Sequence, residues 1–177
     1  MSVPNEMPTG VAVAILLGLV FALALPAADP SKLQEQVDLE LRLLPYISQF
    51  DYIEAKIEGV QVVLGGYTVR AENVDEAERT VAKINGVESV VNEIEVLPSS
   101  ASDRRIRASL YNKMQRQLPR YFRGSIAKIR LVVKNGSVLL KGEVGRPSER
   151  DTATAVARSI EGVAVLQNDI TVRTESP

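Results

Sequence analysis

Residues 137–172 read SVLLKGEVGRPSERDTATAVARSIEGVAVLQNDITV, and the order of elements in this stretch indicates the fold of the chain. A strand pattern comes first, followed by a polar turn, a helical pattern that ends at Gly162, and a second strand pattern. The same succession occurs 76 residues earlier without a gap, which indicates a duplicated structural unit. The shared positions are Val62, Leu64, Gly66, Ala77, Ile84, Gly86, Val87, Asn92, Ile94 and Val96, matched by Val138, Leu140, Gly142, Ala153, Ile160, Gly162, Val163, Asn168, Ile170 and Val172.

Two motifs carry the duplication. One is V-x-L-x-G, and the other is G-V-x-x-[VL]-x-N-x-[IL]-x-V, which follows a polar helix start. They stand at 62–66 and 86–96, and again at 138–142 and 162–172. This pattern resembles the BON domain, a small αββαβ module of bacterial envelope proteins. The resemblance implies association with phospholipid membranes, the periplasm and responses to osmotic or envelope stress. Some double-BON proteins are instead linked to chaperone-like work on envelope proteins.

Each strand pair is preceded by a helical pattern with one apolar face. The order helix–strand–strand–helix–strand predicts an α+β fold of two tandem αββαβ modules, preceded by an N-terminal hydrophobic segment. We expect each module to hold a three-stranded mixed sheet with two helices on one face. The predicted divisions are a signal peptide or N-terminal membrane anchor in 1–28, an acidic first module in 29–98, a linker in 99–102 and a basic second module in 103–177.

The N-terminal segment is nearly continuously apolar from 11 to 25. It is long for the core of a signal peptide and short for a full membrane span. Small residues at 22–28 favour cleavage, but the preceding residues contain Glu6 and no Lys or Arg. Together with the resemblance to the BON family, this segment implies periplasmic modules behind either a cleaved signal or an inner-membrane anchor. Lys32 and Arg42, which follow the segment, favour a cytoplasm-facing anchor as the alternative.

The sequence contains no cysteine and no histidine. Disulfides, thiolate metal sites and an imidazole base are therefore excluded. The remaining polar residues form no catalytic constellation, so we expect a non-enzymatic protein without cofactor or metal. Asn92 and Asn168 occupy matching strand positions, and we expect them to satisfy backbone groups rather than bind a ligand. Asn73, with Glu76 three residues later, matches a helix capping box.

The two predicted modules carry opposite net charges. Residues 29–98 hold 14 acidic and 6 basic residues, a net charge of −8, whereas residues 99–177 hold 7 acidic and 15 basic residues, a net charge of +8. An asymmetry of this size favours different partners for the two modules, or attraction between them.

The first helical pattern of the basic module is the candidate binding surface. A helix places Arg105, Lys113 and Arg116 on one face, and Pro119 ends it. Basic residues beside two aromatic rings suit an anionic phospholipid surface. Nucleic acid attracts the same charges, but an exported location argues against it. One alternative is that this surface contacts a protein. The other is that the two rings cover the end of the sheet while the arginines are simply solvated. The predicted lipid-binding residues are Arg105, Lys113, Arg116, Arg120, Tyr121, Phe122 and Arg123.

The function predicted is therefore binding of anionic phospholipid through the second module, in envelope integrity or osmotic stress. The alternative is a chaperone-like or scaffolding module that binds periplasmic proteins. Leu39 and Leu43 add a second apolar pair to the first helix, although a helix on a sheet needs only one apolar face. We expect this pair to contact the second module or a partner subunit.

Overall fold

The computed structural model describes residues 30–123 and 127–173. The predicted N-terminal segment 1–28 lies outside these ranges. The first module contains α1 (Pro30–Arg42), β1 (Tyr52–Glu58), β2 (Gln61–Thr68), α2 (Glu72–Val81), β3 (Ser89–Asn92) and β4 (Glu95–Val96). The second contains α3 (Ala101–Gln117), a 3-10 turn (Pro119–Tyr121), β5 (Ile129–Lys134), β6 (Ser137–Val144), α4 (Pro147–Arg158) and β7 (Val165–Val172). The predicted α+β fold of two αββαβ modules is confirmed.

Both sheets are mixed, as expected. The central strand of each, β2 or β6, pairs antiparallel with the preceding strand and parallel with the last. The parallel registers are equivalent, since Gln61 faces Ser89 and Ser137 faces Val165. The segments β3 and β4 share one register with β2, so together they form a single third strand that is interrupted between them.

Each module has its own core between its helices and one face of its sheet. The stripe predicted on α1 is buried, and so is the equivalent stripe on α3. The residues that form these stripes are Leu33, Val37, Leu41 and Leu44 in the first module, and Ile106, Leu110, Met114 and Leu118 in the second.

The glycine of V-x-L-x-G is required by close packing inside each hairpin. Gly66 has φ +107° and Gly142 has φ +134°. A Cβ added at Gly66 would lie 2.1 Å from the carbonyl oxygen of Tyr52, and one at Gly142 would lie 2.2 Å from that of Lys128. The repeated glycine therefore reports a structural constraint of the fold.

Asn92 and Asn168 tie the third strand of each module to the helix before it. The Asn92 amide donates to the Val74 carbonyl at 3.0 Å, and the Asn168 amide donates to Thr154 Oγ1 at 2.7 Å. Their side-chain oxygens accept from the backbone N–H two residues later, at 3.2 and 3.0 Å. The prediction that both asparagines satisfy backbone groups is confirmed.

The capping box predicted at Asn73 is wrong. The helix begins at Glu72 with Ala71 as its N-cap, and no side chain caps it. Asn73 is instead buried, and its amide donates to Thr68 Oγ1 at 2.9 Å. Thr68 in turn donates to the buried carboxylate of Asp51 at 2.9 Å, so the asparagine belongs to an internal polar cluster.

The two modules contact each other directly. The segment that leads into β1 lies along the outer edge of β5, where the N–H of Leu131 donates to the Gln49 carbonyl at 2.7 Å. The Arg130 guanidinium donates to the Ser48 carbonyl at 2.9 Å. The first module thus covers a strand edge of the second, which would otherwise present unpaired backbone groups.

Charged and aromatic side chains extend this junction. Lys134 forms an ion pair with Glu95 at 2.7 Å and lies 5.7 Å from the Tyr67 ring centroid. Lys141 lies 5.0 Å from the centroid of the Tyr52 ring. These contacts join basic residues of the second module to the acidic first module.

Leu39 and Leu43 lie outside this junction. Their exposed fractions are 54% and 58%, and neither side chain belongs to the core of either module. The expected contact with the second module is therefore wrong, while contact with a partner subunit stays a prediction.

Candidate functional site

Helix α3 is positioned by a cap and by a buried stripe. Ser100, within the predicted linker, accepts a hydrogen bond from the Asp103 N–H at 2.9 Å and so begins the helix. The apolar stripe of α3 packs onto the sheet. The opposite side of the helix therefore faces outward along all 17 residues.

The only carboxylate in α3 is withdrawn from that outward side. Asp103 is buried beneath the turn between β5 and β6, where it accepts hydrogen bonds from the N–H groups of Asn135 and Gly136 at 2.8 and 2.9 Å. Burial opposes ionisation of Asp103, but these N–H donors outweigh it, so its pKa lies below the ordinary value. The outward side of α3 consequently carries cations without any acidic neighbour on the same helix.

The predicted basic residues of α3 differ in how accessible they are to an external ligand. Arg105 and Arg116 are exposed. Lys113 is half-buried, and its ammonium donates to the carbonyl and hydroxyl oxygens of Ser159 at 3.2 and 3.1 Å, at the end of α4. Arg104 is a further exposed cation that the helical-face argument missed, because it lies about 100° around the helix from Arg105. Its Nη1 donates to the carbonyl and hydroxyl oxygens of Ser99 at 3.0 and 2.9 Å.

Beyond the helix, Arg120 and Arg123 are exposed, but Arg120 is already paired. Its guanidinium contacts the Glu149 carboxylate at 2.5 Å and donates to the hydroxyl of Tyr121. The hydrogen bond to Tyr121, together with the charge of Glu149, raises the pKa of Arg120. We therefore count Arg120 as a weaker candidate for an external anion than Arg123.

The two aromatic residues after Pro119 do not face outward. Tyr121 and Phe122 are only 5% and 8% exposed and belong to the core of the second module. The Tyr121 hydroxyl donates to Glu149 at 2.6 Å and accepts from the Gly145 N–H at 2.8 Å. The expectation that these rings reach lipid headgroups is wrong, since the 3-10 turn directs both rings inward.

Other classes of site are not seen within the ranges that the structure describes. No group of three or more acidic, histidine or cysteine side chains there is arranged to hold a metal. None of the helices in 30–123 and 127–173 has the length and apolar character of a membrane span.

Comparison with known proteins agrees with the duplicated fold. Residues 29–98 and residues 102–174 each match the BON domain. The chain belongs to the BON domain family. A stretch of 45 residues is 44% identical to the outer membrane lipoprotein DolP of Haemophilus influenzae, and it covers 25% of this chain. The match spans 23% of the length of that lipoprotein.

A search of solved structures matched CdsD of Chlamydia trachomatis, a structural protein of the type III secretion system. That solved chain is 16% identical with a TM-score of 0.34, over 83% of this chain and 65% of the solved one. The C-terminal domain of CdsD is 10% identical with a TM-score of 0.33, over 82% of this chain and 100% of the domain. At these TM-scores the likeness carries no argument about function.

Proposed function

We propose that this BON protein is a non-enzymatic protein of the bacterial envelope that binds anionic phospholipid surfaces through its second module. One observation carries the proposal. The outward side of α3 presents Arg104, Arg105 and Arg116, while the single acid of the helix is buried and hydrogen-bonded. Membership of the BON family and the stretch shared with an outer membrane lipoprotein support an envelope location.

The expected attachment is electrostatic. A basic residue near an anionic membrane surface contributes about 1 kcal/mol. The three exposed arginines of α3, together with Arg123, therefore contribute roughly 4 kcal/mol, which gives weak and reversible binding. Because Tyr121 and Phe122 are buried, we expect no insertion of these rings into the headgroup layer.

Stable attachment to a membrane generally needs a second signal besides such charges. The apolar residues 11–25 are the proposed second signal if the chain retains them. The acidic first module would be repelled by an anionic surface, so the second module should face the lipid. A role in envelope integrity or osmotic stress is the proposed physiological setting.

Vesicle co-sedimentation of residues 29–177 tests the proposal. This fragment spans both modules and omits the apolar segment, so any binding comes from the modules themselves. We expect co-sedimentation with vesicles that contain phosphatidylglycerol and none with pure phosphatidylcholine, at low salt. Absence of binding to the anionic vesicles at low salt would refute the lipid-binding function.

Binding of another envelope protein, in a chaperone-like or scaffolding role, is the second candidate function. It is favoured by the exposed apolar row of Leu39, Leu43 and Tyr46 on the first module. An apolar helix of the partner would suit this row. Leu39→Ser with Leu43→Ser should abolish such binding while leaving the melting temperature unchanged, because both side chains are exposed. A large loss of stability would instead show that they pack within the chain.

A further inference from the structure

We infer that the outer edge of β1 is a docking site for an extended segment of another polypeptide, which would add a strand to the sheet of the first module. This edge lines the cleft between the two modules, which has a volume of about 600 Å³, within the usual range of ligand sites. The site is separate from the outward face of α3 and from the exposed apolar row of the first module.

The backbone groups of alternate β1 residues point away from the sheet. The carbonyl of Leu64 in β2 accepts from the Glu93 N–H at 2.8 Å, so the backbone groups of Leu64 face the third strand and not β1. Ala55 lies opposite Leu64. In an antiparallel pair such a residue directs its own N–H and C=O groups outward. Ile53 and Ile57, two residues away on either side, do the same.

Most of these outward groups are unpaired. The side-chain amide of Gln34 in α1 donates to the Ala55 carbonyl at 3.1 Å. Among the residues that the structure describes, no other group outside the β1–β2 hairpin bonds to the backbone of Ile53, Ala55 or Ile57. The N–H groups of all three and the carbonyls of Ile53 and Ile57 are therefore available. A strand edge with such groups is a template for an added strand.

The second module shows how the equivalent edge is used. Leu131 in β5 lies opposite Leu140, the repeat counterpart of Leu64. Leu131 is therefore the equivalent of Ala55. Its N–H donates to the Gln49 carbonyl at 2.7 Å, so a short segment of the chain already lies on that edge. An extended segment on β1 would give the first module the contact that the second module already has.

The other strand edges of the described fold are less open. On β7, the outward N–H of Ile170 is held by the side chain of Asn168 at 3.0 Å. Asn92 holds the N–H of Ile94 in the same way at 3.2 Å, and its strand is interrupted between β3 and β4. The edge of β5 is covered by the first module. The edge of β1 combines unpaired N–H groups with a cleft, which would shield the added hydrogen bonds from water.

The lining of the cleft selects no net charge in its occupant, because it holds four carboxylates and four cations. These are Asp38, Asp51, Glu54 and Glu143, and Arg42, Lys128, Arg130 and Arg173. A polypeptide backbone is neutral and offers the donors and acceptors that a strand edge binds. Side chains on an added strand alternate between two sides. The occupant that fits is therefore an extended segment with side chains of both signs.

Binding of a synthetic peptide to the full chain tests the inference. The probe has eight residues that alternate threonine with lysine or glutamate, blocked ends and a fluorescein label, and its polarisation is measured. A matched peptide carries N-methyl groups on its four central backbone nitrogens, which removes strand donors and keeps the side chains. We expect saturable binding of the first peptide and at least about tenfold weaker binding of the second. Absence of binding by the first peptide, or equal affinity of the two, would overturn the inference.

Amide hydrogen exchange followed by nuclear magnetic resonance locates the peptide. With saturating peptide, the N–H groups of Ile53, Ala55 and Ile57 should exchange at least about tenfold more slowly than in the free chain, because the added strand pairs them. The N–H of Lys56, which faces β2, should change little and serves as the internal control. Protection of the outward N–H groups of β7 instead would place the peptide there and overturn the site.

Two variants at one position test the backbone contact. Ala55→Pro removes the central N–H, and proline is tolerated on an edge strand where that N–H lies outside the ladder. We expect it to weaken peptide binding at least about tenfold. Ala55→Ser keeps the N–H and should bind like the unmodified chain. Equal binding by the two variants would overturn the role of this N–H, and hydrogen exchange on the unmodified chain decides if the proline variant fails to fold.

The variant Arg105→Glu with Arg116→Glu separates this site from the lipid-binding face. It should weaken vesicle binding and keep peptide binding, since neither residue lines the cleft. Failure of the docking site and failure of the lipid-binding function are therefore distinguishable. Loss of peptide binding in that variant would overturn the independence of the two sites.

Discussion

The ring of Phe50 in the first module packs edge-to-face against Tyr111 in the second, with ring centroids 6.1 Å apart and an interplanar angle of 71°. Tyr111 meets Phe122 in the same manner at 5.7 Å. A residue that precedes β1 thus contributes to the core of the other module. The two modules are therefore coupled by packing as well as by charge.

Replacing Phe50 with alanine should destabilise the second module. We expect a loss of about 2 kcal/mol, below the value for a fully buried phenylalanine because the ring is half-buried. Thermal melting followed by near-ultraviolet circular dichroism would measure it. Tyr46→Ala, at an exposed ring four residues earlier, is the matched control and should change stability little. Equal effects of the two changes would contradict the proposed coupling.

The buried carboxylate of Asp103 should make stability depend on pH. Its pKa is lower in the folded state than in the unfolded chain, where it is about 3.9. The stability it contributes is therefore fully present above that unfolded value and is lost as pH falls through the folded value. Asp103→Asn should lower the free energy of unfolding by about 1–3 kcal/mol at pH 7.

Urea unfolding across the acid range would check this dependence. The difference between Asp103→Asn and the unmodified chain should shrink as pH falls below about 3.9. The control Asp151→Asn changes an exposed carboxylate on α4 and should have a small effect. A difference at Asp103 that stays constant over the whole range would rule out the assigned hydrogen bonds to the turn.

The two glycines of the V-x-L-x-G motif should not tolerate a side chain. Gly66→Ala and Gly142→Ala should each cost at least about 2 kcal/mol, because the new Cβ meets a carbonyl oxygen and the φ angle is positive. Gly65→Ala is the control, since a Cβ there meets nothing within 4 Å. Chemical denaturation of the three variants would compare them, and similar costs at Gly65 and Gly66 would disprove the steric account.

The topology followed from the sequence because the duplication provides two observations of every element. Strand positions such as Val62 and Val138 recur in one register, and the paired asparagines Asn92 and Asn168 recur with them. A pattern that repeats without a gap constrains the pairing of strands. The order of elements, the mixed sheets and the roles of both asparagines were therefore predictable.

The orientation of the aromatic residues did not follow from the sequence. Tyr46 and Phe122 each follow the proline that ends the first helix of their module, yet the first is 53% exposed and the second 8%. Tyr46 comes directly after Pro45, and Phe122 comes three residues after Pro119, but neither spacing predicts whether the ring is buried. What differs is tertiary packing, because Phe122 meets the Tyr111 ring.

The candidate site was predictable only in part. Helical periodicity placed Arg105 and Arg116 correctly on the outward side of α3, since a helix fixes the angle between them. Periodicity cannot reveal that Lys113 caps a neighbouring helix or that Arg120 pairs with Glu149. Nor can it show that Leu39 and Leu43 lie outside the junction of the modules, because that depends on tertiary packing.

The most direct test of the lipid-binding account is the salt dependence of vesicle binding by Arg105→Glu with Arg116→Glu. The control Lys56→Glu with Lys83→Glu makes the same change in net charge on exposed lysines of the first module. With phosphatidylglycerol vesicles at low salt, we expect the α3 variant to bind about 30-fold more weakly or worse. We also expect it to lose most of its salt dependence, because the screened attraction is gone. The control variant should keep both the affinity and the salt dependence of the unmodified chain. An α3 variant that folds and binds these vesicles like the unmodified chain would contradict the account.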